Sequence, residues 1–479
     1  MKFHHPTFLL GFLFSINVYS QTFPQNIFLK TYDNGNEDRI TDFIEDKDWG
    51  FVCAGYTSSI GAGGEDVWLF KTDSLGDTLW QKTFGGIAND FCYSIKKATD
   101  GGFILSGSFQ SNMQKHPYII KTDSLGTLQW EFNGANYDII LYDAVELDNG
   151  DIVGTGHVEN SAGAAIEDYL LKLDSAGNFI WEKWFNFSTA DGAGRAVKSP
   201  EGNIVVNSFT LGAAGDINIF KCDTSGSSIW SSYLSPTANA DGVYDIISNP
   251  IDSTYLISGI TNYHYPTTPS EGYLIKMNNN GDTLWTETIQ GTGDYFLSSS
   301  AFDVNGDIIS FGDTYGICSP IASSLLLAKS TSSGVVTDVA YYCDSSFNWT
   351  ANRIIKTHDN KFVIAGIKFI GMSANSIDGF LIKLNADSIF TSSNEIISQT
   401  NNDISIYPNP AHEHLIIHST SAKQFLVTIY DIFGKVFLSQ EINNAKTEIN
   451  LLQEEIPTGI YFISIRTTEN IFVYKIIII

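Results

Sequence analysis

The chain has 479 residues, of which 53 are acidic and 27 basic, so its formal net charge is −26. Nucleic-acid phosphates and anionic membrane surfaces repel such a polyanion, and neither is expected as a partner. With 43% hydrophobic, 13% aromatic and only 17% charged residues, the composition excludes a disordered chain. It favours a β-rich fold with many half-buried strand faces.

Residues 1–20 have the pattern of a secretory signal peptide. Lys2 supplies a positive start, Thr7–Val18 is mostly apolar, and Ser20 is a small residue before a cut. The apolar run is shorter than the roughly 20 residues that a membrane-spanning helix needs. We therefore predict an exported mature chain that begins at Gln21 and has no transmembrane segment.

A unit of about 50 residues recurs seven times before residue 386. Its lysine-containing strand places a lysine at Lys71, Lys121, Lys172, Lys221, Lys276, Lys329 and Lys383. A second signature, a turn followed by an apolar strand, ends at Gly55, Gly107, Gly156, Ser208, Gly259, Gly312 and Gly366. Each unit holds about four short strands, as a β-propeller blade does. We predict an all-β fold with a seven-bladed propeller over residues 21–386.

The two ends of this array are complementary half-units. Ile27–Asp38 aligns with the fourth strand of a unit, as in Leu79–Asp90, but lacks the first three strands. Asp378–Asn385 is a third strand that lacks a fourth. The N-terminal strand is therefore expected to complete the last blade and close the ring, which removes the exposed edges of an open sheet.

The strand-and-turn signature repeats an aspartate at Asp73, Asp123, Asp174 and Asp223. These residues are either calcium ligands or turn residues whose carboxylates accept hydrogen bonds from the turn's own N–H groups. Because they recur once per unit, and no Asp-rich calcium loop with a later Glu is present, we interpret them as turn residues. No metal and no cofactor are predicted.

The blocks Asp100–Gly107 (DGGFILSG) and Lys71–Trp80 (KTDSLGDTLW) resemble the acidic, Trp-containing propeller repeats of exported proteins from Bacteroidetes-type bacteria. The resemblance implies the architecture but no activity, because propellers have many functions.

Residues 387–403 are rich in Ser, Asn and Thr and are interpreted as a linker, and residues 404–479 as a small Ig-like β-sandwich. Four motifs in this region resemble the type A C-terminal sorting domain of the type IX secretion system. Their residues are Tyr407, Pro408, Asn409, Pro410, Asp431, Gly434, Lys435, Gly459, Tyr461 and Lys475. The resemblance implies that the secretion machinery is a partner and that the chain passes through the periplasm and across the outer membrane. The product would then be released or attached to the cell surface.

Catalytic residues are not evident. No nucleophile elbow, zinc-protease motif or phosphate-binding loop is present, and we expect no polar set repeated across the inner strands. Enzymes on this scaffold need convergent polar residues around the central channel, so the pattern weighs against an enzyme without excluding one.

Ligand-binding residues are expected on the face that carries the longer, variable connections. Tyr263, His264 and Tyr265 form an aromatic cluster in one connection, and Trp349 is placed in a neighbouring one. Exposed aromatic rings stack on sugars or peptides; alternatively, these rings cap the hydrophobic ends of the propeller. Cys318 and Cys343, in long loops of the sixth unit, are candidates for a disulfide.

The sequence thus predicts a monomeric, non-catalytic, secreted or cell-surface propeller that binds a glycan or protein ligand. Two alternatives stay open: an exported hydrolase or lyase with its site at the central channel, and a purely structural surface protein.

Overall fold

A computed structural model divides the chain into two compact units, Met1–Phe390 and Thr391–Ile479. Every regular element among the described residues is a β-strand. The described residues are 20–21, 26–134, 138–159, 165–186, 191–210, 217–234, 236–237, 241–262, 269–291, 293–317, 323–342, 347–369, 377–385, 404–408, 411–419, 424–431, 436–451, 456–466 and 471–478.

The first unit contains seven antiparallel four-stranded sheets, here called blades. Blade 1 comprises β3 (Asp38–Glu45), β4 (Phe51–Thr57), β5 (Asp66–Thr72) and β6 (Thr78–Phe84). Blade 2 comprises β7 (Phe91–Lys97), β8 (Phe103–Ser111), β9 (Gln114–Thr122) and β10 (Leu128–Asn133). Blade 3 comprises β11 (Ile139–Glu146), β12 (Ile152–Glu159), β13 (Ala165–Leu173) and β14 (Phe179–Phe185). Blade 4 comprises β15 (Asp191–Lys198), β16 (Ile204–Thr210), β17 (Ile217–Cys222) and β18 (Ser228–Leu234).

Blade 5 comprises β19 (Gly242–Ser248), β20 (Tyr255–Thr261), β21 (Glu271–Met277) and β22 (Thr283–Ile289). Blade 6 comprises β23 (Asp294–Phe302), β24 (Ile308–Tyr315), β25 (Ser323–Ser330) and β26 (Val336–Tyr342). Blade 7 comprises β27 (Asn348–Lys356), β28 (Phe362–Phe369), β29 (Ile377–Leu384) and β2 (Asn26–Tyr32). A two-residue strand, β1 (Ser20–Gln21), pairs in parallel with β26.

The middle strands of each blade are buried on both faces, because neighbouring blades cover them. Val52 and Leu69 of blade 1, for example, belong to one apolar cluster with Phe103 and Tyr118 of blade 2. This two-sided burial explains why these strands are nearly continuous apolar runs. The cysteines Cys53, Cys92 and Cys222 are buried in such clusters as small apolar residues.

The ring closes through the pairing of β2 with β29, strands from opposite ends of the array. The two strands are antiparallel, with Leu29 opposite Ile382. Blade 7 then packs on blade 1, where β27, β28 and β29 all contact β3. The hydroxyl of Tyr32 in β2 donates to the carbonyl of Gly76 in blade 1 at 2.8 Å. This pairing is the one that the complementary half-units predict.

The repeated lysine ties the third strand of each blade to the turn between the first two strands. In blade 1, Nζ of Lys71 lies 2.6 Å from a carboxylate oxygen of Asp46, and the lysine side chain is 9% exposed. The equivalent pairs are Lys121–Asp100, Lys172–Asp151, Lys221–Glu201, Lys276–Asp252, Lys329–Asp307 and Lys383–Asp359. The lysine therefore recurs because it compensates an acidic turn inside each blade.

The repeated aspartates have the turn role that the sequence predicts. Oδ1 of Asp73 accepts the N–H groups of Leu75 and Asp77, both at 2.9 Å. The same double acceptance occurs at Asp123, Asp174 and Asp223.

The repeated tryptophans join neighbouring blades. Gly126, in a blade 2 turn, has a φ of 73°, and a Cβ there would lie 2.7 Å from the Trp80 ring of blade 1. The same arrangement pairs Trp130 with Gly177, Trp181 with Gly226, Trp230 with Gly281 and Trp285 with Gly334. Blade 6 has Asp338 at the tryptophan position. A tryptophan at position 338 would have no glycine turn to contact in blade 7. The third and fourth strands of blade 7 come from distant parts of the chain, and no turn joins them.

The second unit is a sandwich of two sheets around one apolar core. One sheet contains β30 (Ile404–Tyr407), β31 (His414–Ser419) and β34 (Lys446–Asn450). The other contains β32 (Phe425–Asp431), β33 (Val436–Ile442), β35 (Gly459–Arg466) and β36 (Ile471–Ile478). Buried residues of both sheets, such as Ile417 and Ile463, share a single cluster.

Candidate ligand-binding site

The connections of the propeller differ between its two faces. In blade 1, the turns over residues 46–50 and 73–77 are short, whereas the connections over residues 58–65 and 85–90 are longer. Because strands alternate in direction, the connections equivalent to residues 58–65 and 85–90 lie on one face in every blade, here called the long-loop face. In blade 2 one of them is the two-residue turn at residues 112–113. Each inner strand begins at this face.

Every inner strand carries a register shift near the long-loop face. The unpaired bulge residues are Thr41, Tyr93, Tyr142, Gly194, Arg195, Tyr244, Ser298 and Asn352. All of them line a single cavity. A β-bulge re-aims side chains, and here seven bulges direct side chains from all seven blades towards the central channel.

Glycines in the second strands accommodate these bulges. Gly107 pairs with Cys92 at the bulge of blade 2, and a Cβ on Gly107 would lie 1.8 Å from the carbonyl oxygen of Phe91. Five other blades have a glycine at this position. Blade 4 has Ser208 and a bulge of two residues, Gly194 and Arg195. The glycine that ends the second repeat signature therefore marks the channel-lining residue opposite it, a signal that we did not recognise in the sequence.

The cavity has a volume of about 540 Å³ and combines aromatic walls with small polar groups. Its aromatic residues, Tyr93, Tyr142, Tyr244 and Phe296, come from four blades. The ring centroids of Tyr93 and Tyr142 are 5.1 Å apart. Burial raises the pKa of Tyr142 to about 12 and the pKa of Tyr93 further, so both phenols are neutral.

Polar groups on the same wall include the hydroxyls of Thr41 and Ser298 and the amide of Asn352. Thr41 donates to the carbonyl of Cys92 at 2.8 Å, and Asn352 donates to the carbonyl of Ile40 at 2.6 Å. Both bonds cross from one blade to the next, which holds the lining of the cavity in place.

Next along the inner strands, six of the seven equivalent positions are polar: Asp42, Ser94, Asp143, Asp245, Ser299 and Arg353. Blade 4 has Ala196 at this position, and its bulge residue Arg195 completes a ring with these side chains. Nη1 of Arg195 lies 2.8 Å from Oδ2 of Asp42, across the channel from blade 4 to blade 1. Arg353 pairs with both Asp42 and Asp245. Our expectation that the inner strands carry no repeated polar set is wrong. The set mixes acids, bases and serines, so no single residue type recurs in the sequence.

Lys96, also on an inner strand, pairs with Asp143 at 3.0 Å. Together with Arg195 and Arg353, it is one of three basic residues around this ring. Burial alone would raise the pKa of Asp42, but the positive charges of Arg195, Arg353 and Lys96 outweigh it and hold that pKa below its usual range. Asp42 is therefore ionised, and the three acids are matched by three bases.

Asp313 is a further carboxyl group in the cavity wall. It lies in β24, its side chain lines the cavity, and the residue is 7% exposed. Its Oδ1 accepts the N–H of Ala351 at 3.0 Å. Burial raises its pKa to about 7, although this hydrogen bond lowers it in part. A buried carboxyl with a perturbed pKa in a cleft is a candidate functional group.

Of the residues that the sequence suggested as ligand contacts, Tyr263, His264 and Tyr265 lie outside the described residues. Trp349 lies in β27 rather than in a connection, is 2% exposed, and packs edge-on against Phe380 with 4.9 Å between ring centroids. In this position it belongs to the apolar core between blades and offers no open face. Cys318 and Cys343 also lie outside the described residues.

One cluster on the opposite face has atoms suited to a metal ion, contributed by Glu45, His358 and Asp359. Nδ1 of His358 is 2.7 Å from Glu45, and Asp359 is paired with Lys361 and Lys383. These atoms therefore have partners within the protein.

The sorting motif residues fall on strand ends in the second unit. Tyr407 ends β30 and precedes Pro408, Asp431 ends β32, Gly459 begins β35, which also holds Tyr461, and Lys475 lies within β36. The motif residues Asn409, Pro410, Gly434 and Lys435 lie outside the described residues.

Comparisons with solved structures concern the fold alone. An ulvan lyase of polysaccharide lyase family PL25 has a TM-score of 0.51 and 12% identity, covering 74% of this chain and 96% of that one. PorZ of Porphyromonas gingivalis, a surface component of the type IX secretion system, has a TM-score of 0.37 and 12% identity over 90% of this chain. The chain spans 64% of the length of PorZ. Drosophila Plexin A has a TM-score of 0.47 and 7% identity, covering 76% of this chain and 88% of that one. No curated protein sequence matches the chain.

No helix among the described residues is long and apolar enough to cross a membrane. Residues 405–479 match the secretion system C-terminal sorting domain. These residues are the sorting domain of a protein that type IX secretion exports to the cell surface or the surroundings.

Proposed function

We propose that the propeller is a non-catalytic carbohydrate-binding module whose site is the cavity at the long-loop face. The observation that carries this proposal is the convergence of four aromatic rings from four blades on one cavity of about 540 Å³. This volume is in the range of small-molecule sites, which are concave and mostly apolar with a few placed polar groups. Protein partners, by contrast, are bound by broader surfaces.

The lining supports a sugar in particular. Tyr93, Tyr142 and Tyr244 contribute apolar ring surface to the lining, against which a pyranose ring packs, and Thr41, Ser298 and Asn352 add groups that bond hydroxyls. The backbone of this site lies in β-strands, which limits the ordering cost of binding. Tyr263, His264 and Tyr265, which follow β20 in the sequence, remain proposed contacts.

The alternative of an exported hydrolase or lyase would use the same cavity. Glycoside hydrolysis usually needs two carboxyl groups that flank the bond to be cleaved. Among the described lining residues, Asp313 is the one carboxyl group. This favours binding over hydrolysis.

The test is titration of the purified chain with a panel of oligosaccharides by calorimetry, together with product analysis. We expect Tyr93→Ala and Tyr142→Ala each to weaken binding by about tenfold or more, because an aromatic contact at the centre of a site is worth about 1.4 kcal/mol or more. Tyr233→Ala is the matched control, because this tyrosine is 54% exposed on the outer strand β18. Unchanged affinity in both cavity variants, or cleaved oligosaccharide in the wild-type reaction, would contradict the proposal.

A further inference from the structure

The charges near the cavity are compensated in the ring of residues that follows the bulges, here called the floor of the cavity. They are not compensated in the cavity wall. At the floor, Asp42, Asp143 and Asp245 face Lys96, Arg195 and Arg353, three acids and three bases. This part of the channel has no net formal charge, so it places no demand on the charge of a ligand.

Asp313 in the wall differs, because no basic side chain of the described residues forms an ion pair with it. Charged groups on the strands packed against β24 are all engaged or distant. Arg353 of β27 pairs with Asp42 and Asp245, and Lys329 of β25 pairs with Asp307 in the turn at the opposite face.

On β23, Asp294 at the rim accepts the N–H of Ser270 at 2.7 Å, and on β27 the exposed Lys356 lies at the end of the strand away from the cavity. The remaining titratable groups of the cavity are Arg195, which is paired with Asp42, and the neutral phenols. An ionised Asp313 therefore lacks a counter-ion, which is costly for a buried carboxylate.

A cationic group on a ligand would supply the counter-ion that Asp313 lacks. An ammonium group beside Asp313 would compensate the carboxylate, and the faces of Tyr244 and Phe296 attract a cation through their ring quadrupoles. The net charge of −26 also raises the local concentration of cations over that of anions.

We propose that the cavity recognises a carbohydrate that carries a protonated primary amine, with the ammonium group placed against Asp313 and the sugar ring on the aromatic walls. This inference rests on the proposed function and specifies its ligand. It makes Asp313 a determinant of specificity rather than a group that reacts.

The experiment compares two oligosaccharides that differ in the amine alone: a glucosamine oligomer with free amino groups and the N-acetylglucosamine oligomer of the same length. Both are titrated into the full chain at pH 6.5. We expect the wild-type chain to prefer the amine oligomer by at least about tenfold. Asp313→Asn should reduce this preference to about twofold.

Asp307→Asn is the matched control, because Asp307 is in the same blade but at the opposite face. Equal affinity of the wild-type chain for both oligomers, with no effect of Asp313→Asn, would overturn this inference and leave the carbohydrate site intact. Absence of binding by both oligomers, in chains that melt cooperatively, would also overturn this inference, whereas the proposed function is tested separately by the oligosaccharide panel. The wild-type preference is measured without any variant, so equal wild-type affinity for both oligomers overturns the inference even if Asp313→Asn does not fold.

Discussion

Two buried carboxyl groups of this propeller behave in opposite ways because of their partners. Asp42 is surrounded by Arg195, Arg353 and Lys96, which lower its pKa. Among the described residues, the partner of Asp313 is a backbone N–H, and burial raises the pKa of this carboxyl to about 7. Neither pKa shift can be predicted from the sequence. The partners of Asp42 are on other blades, and Asp313 directly follows a repeat glycine in a segment that gives no sign of a cavity.

At this scale we predict that Asp313→Asn changes the pH dependence of stability. The folded pKa of about 7 exceeds the ordinary value of 3.8, so the stabilisation that Asp313 contributes when neutral is complete below about pH 4 and is lost as the pH rises through 7. Relative to the Asn variant, the free energy of unfolding of the wild type should fall by about 4 kcal/mol between pH 4 and 8. Urea unfolding of both chains across this range checks it, and parallel curves would show that Asp313 is not protonated in the folded state.

A control for this experiment is Asp42→Asn, whose effect should have a different pH profile. Asp42 is already ionised in the folded state, and its loss leaves Arg195 and Arg353 without full compensation. We expect destabilisation by about 3–5 kcal/mol at neutral pH, because removal of one partner leaves a buried charge. A loss below 1 kcal/mol would mean that water compensates the two guanidinium groups.

At the scale of the element, strand patterning and turn chemistry predict much of each blade. The Asp turns follow from residues that are neighbours in the sequence, and the closing strand β2 follows from the complementary half-units at the two ends of the array. The bulges cannot be predicted in this way, because a bulge depends on how two strands pair. Glycine is needed at position 107 because the carbonyl of Phe91, in the neighbouring strand, lies too close for a Cβ. The channel-lining residues were missed for this reason.

The contact between tryptophan and glycine gives a prediction for the outer strands. Gly126→Ala and Gly101→Ala both place a side chain at positive φ, 73° and 87°, so both lose about 1 kcal/mol. Only at Gly126 does the new Cβ clash, with the Trp80 ring; nothing lies within 4 Å of it at Gly101. We expect Gly126→Ala to cost about 1–3 kcal/mol more than Gly101→Ala in chemical denaturation. Equal losses would show that the ring moves away freely.

At the scale of the whole molecule, the sequence predicts the number of blades because two independent signatures recur seven times. It also predicts which face carries the long connections. It does not predict where on that face a ligand binds. The aromatic composition around Tyr263 favours one connection, whereas the cavity is formed by single residues that lie about 50 positions apart. Trp349 shows the same limit, since an aromatic residue near a predicted loop proves to be buried.

The closing strand provides the prediction at this scale. Deletion of residues 26–32 would remove the buried Phe28 and Tyr32 and expose the edge of β29. Such an edge is a template for pairing with other chains, so we expect aggregation or dimerisation by size-exclusion chromatography. A synthetic peptide of residues 26–32, added in trans, should restore a monomeric profile by strand addition. A monomeric deletion chain with an unchanged melting temperature would show that β2 is dispensable.

The pairing of β2 with β29 also fixes an order of events during folding. Blades 1–6 join strands that are close in sequence, whereas blade 7 must bring together strands from far apart, which carries the largest loop-closure entropy in the ring. Contacts of such long sequence separation form slowly. We therefore expect the chain to pass through an open arc of finished blades with one uncovered edge, which refolding kinetics would test. The apolar blade faces at the two ends of that arc are not yet covered by a neighbouring blade. Only rapid closure of the ring limits their aggregation with other chains.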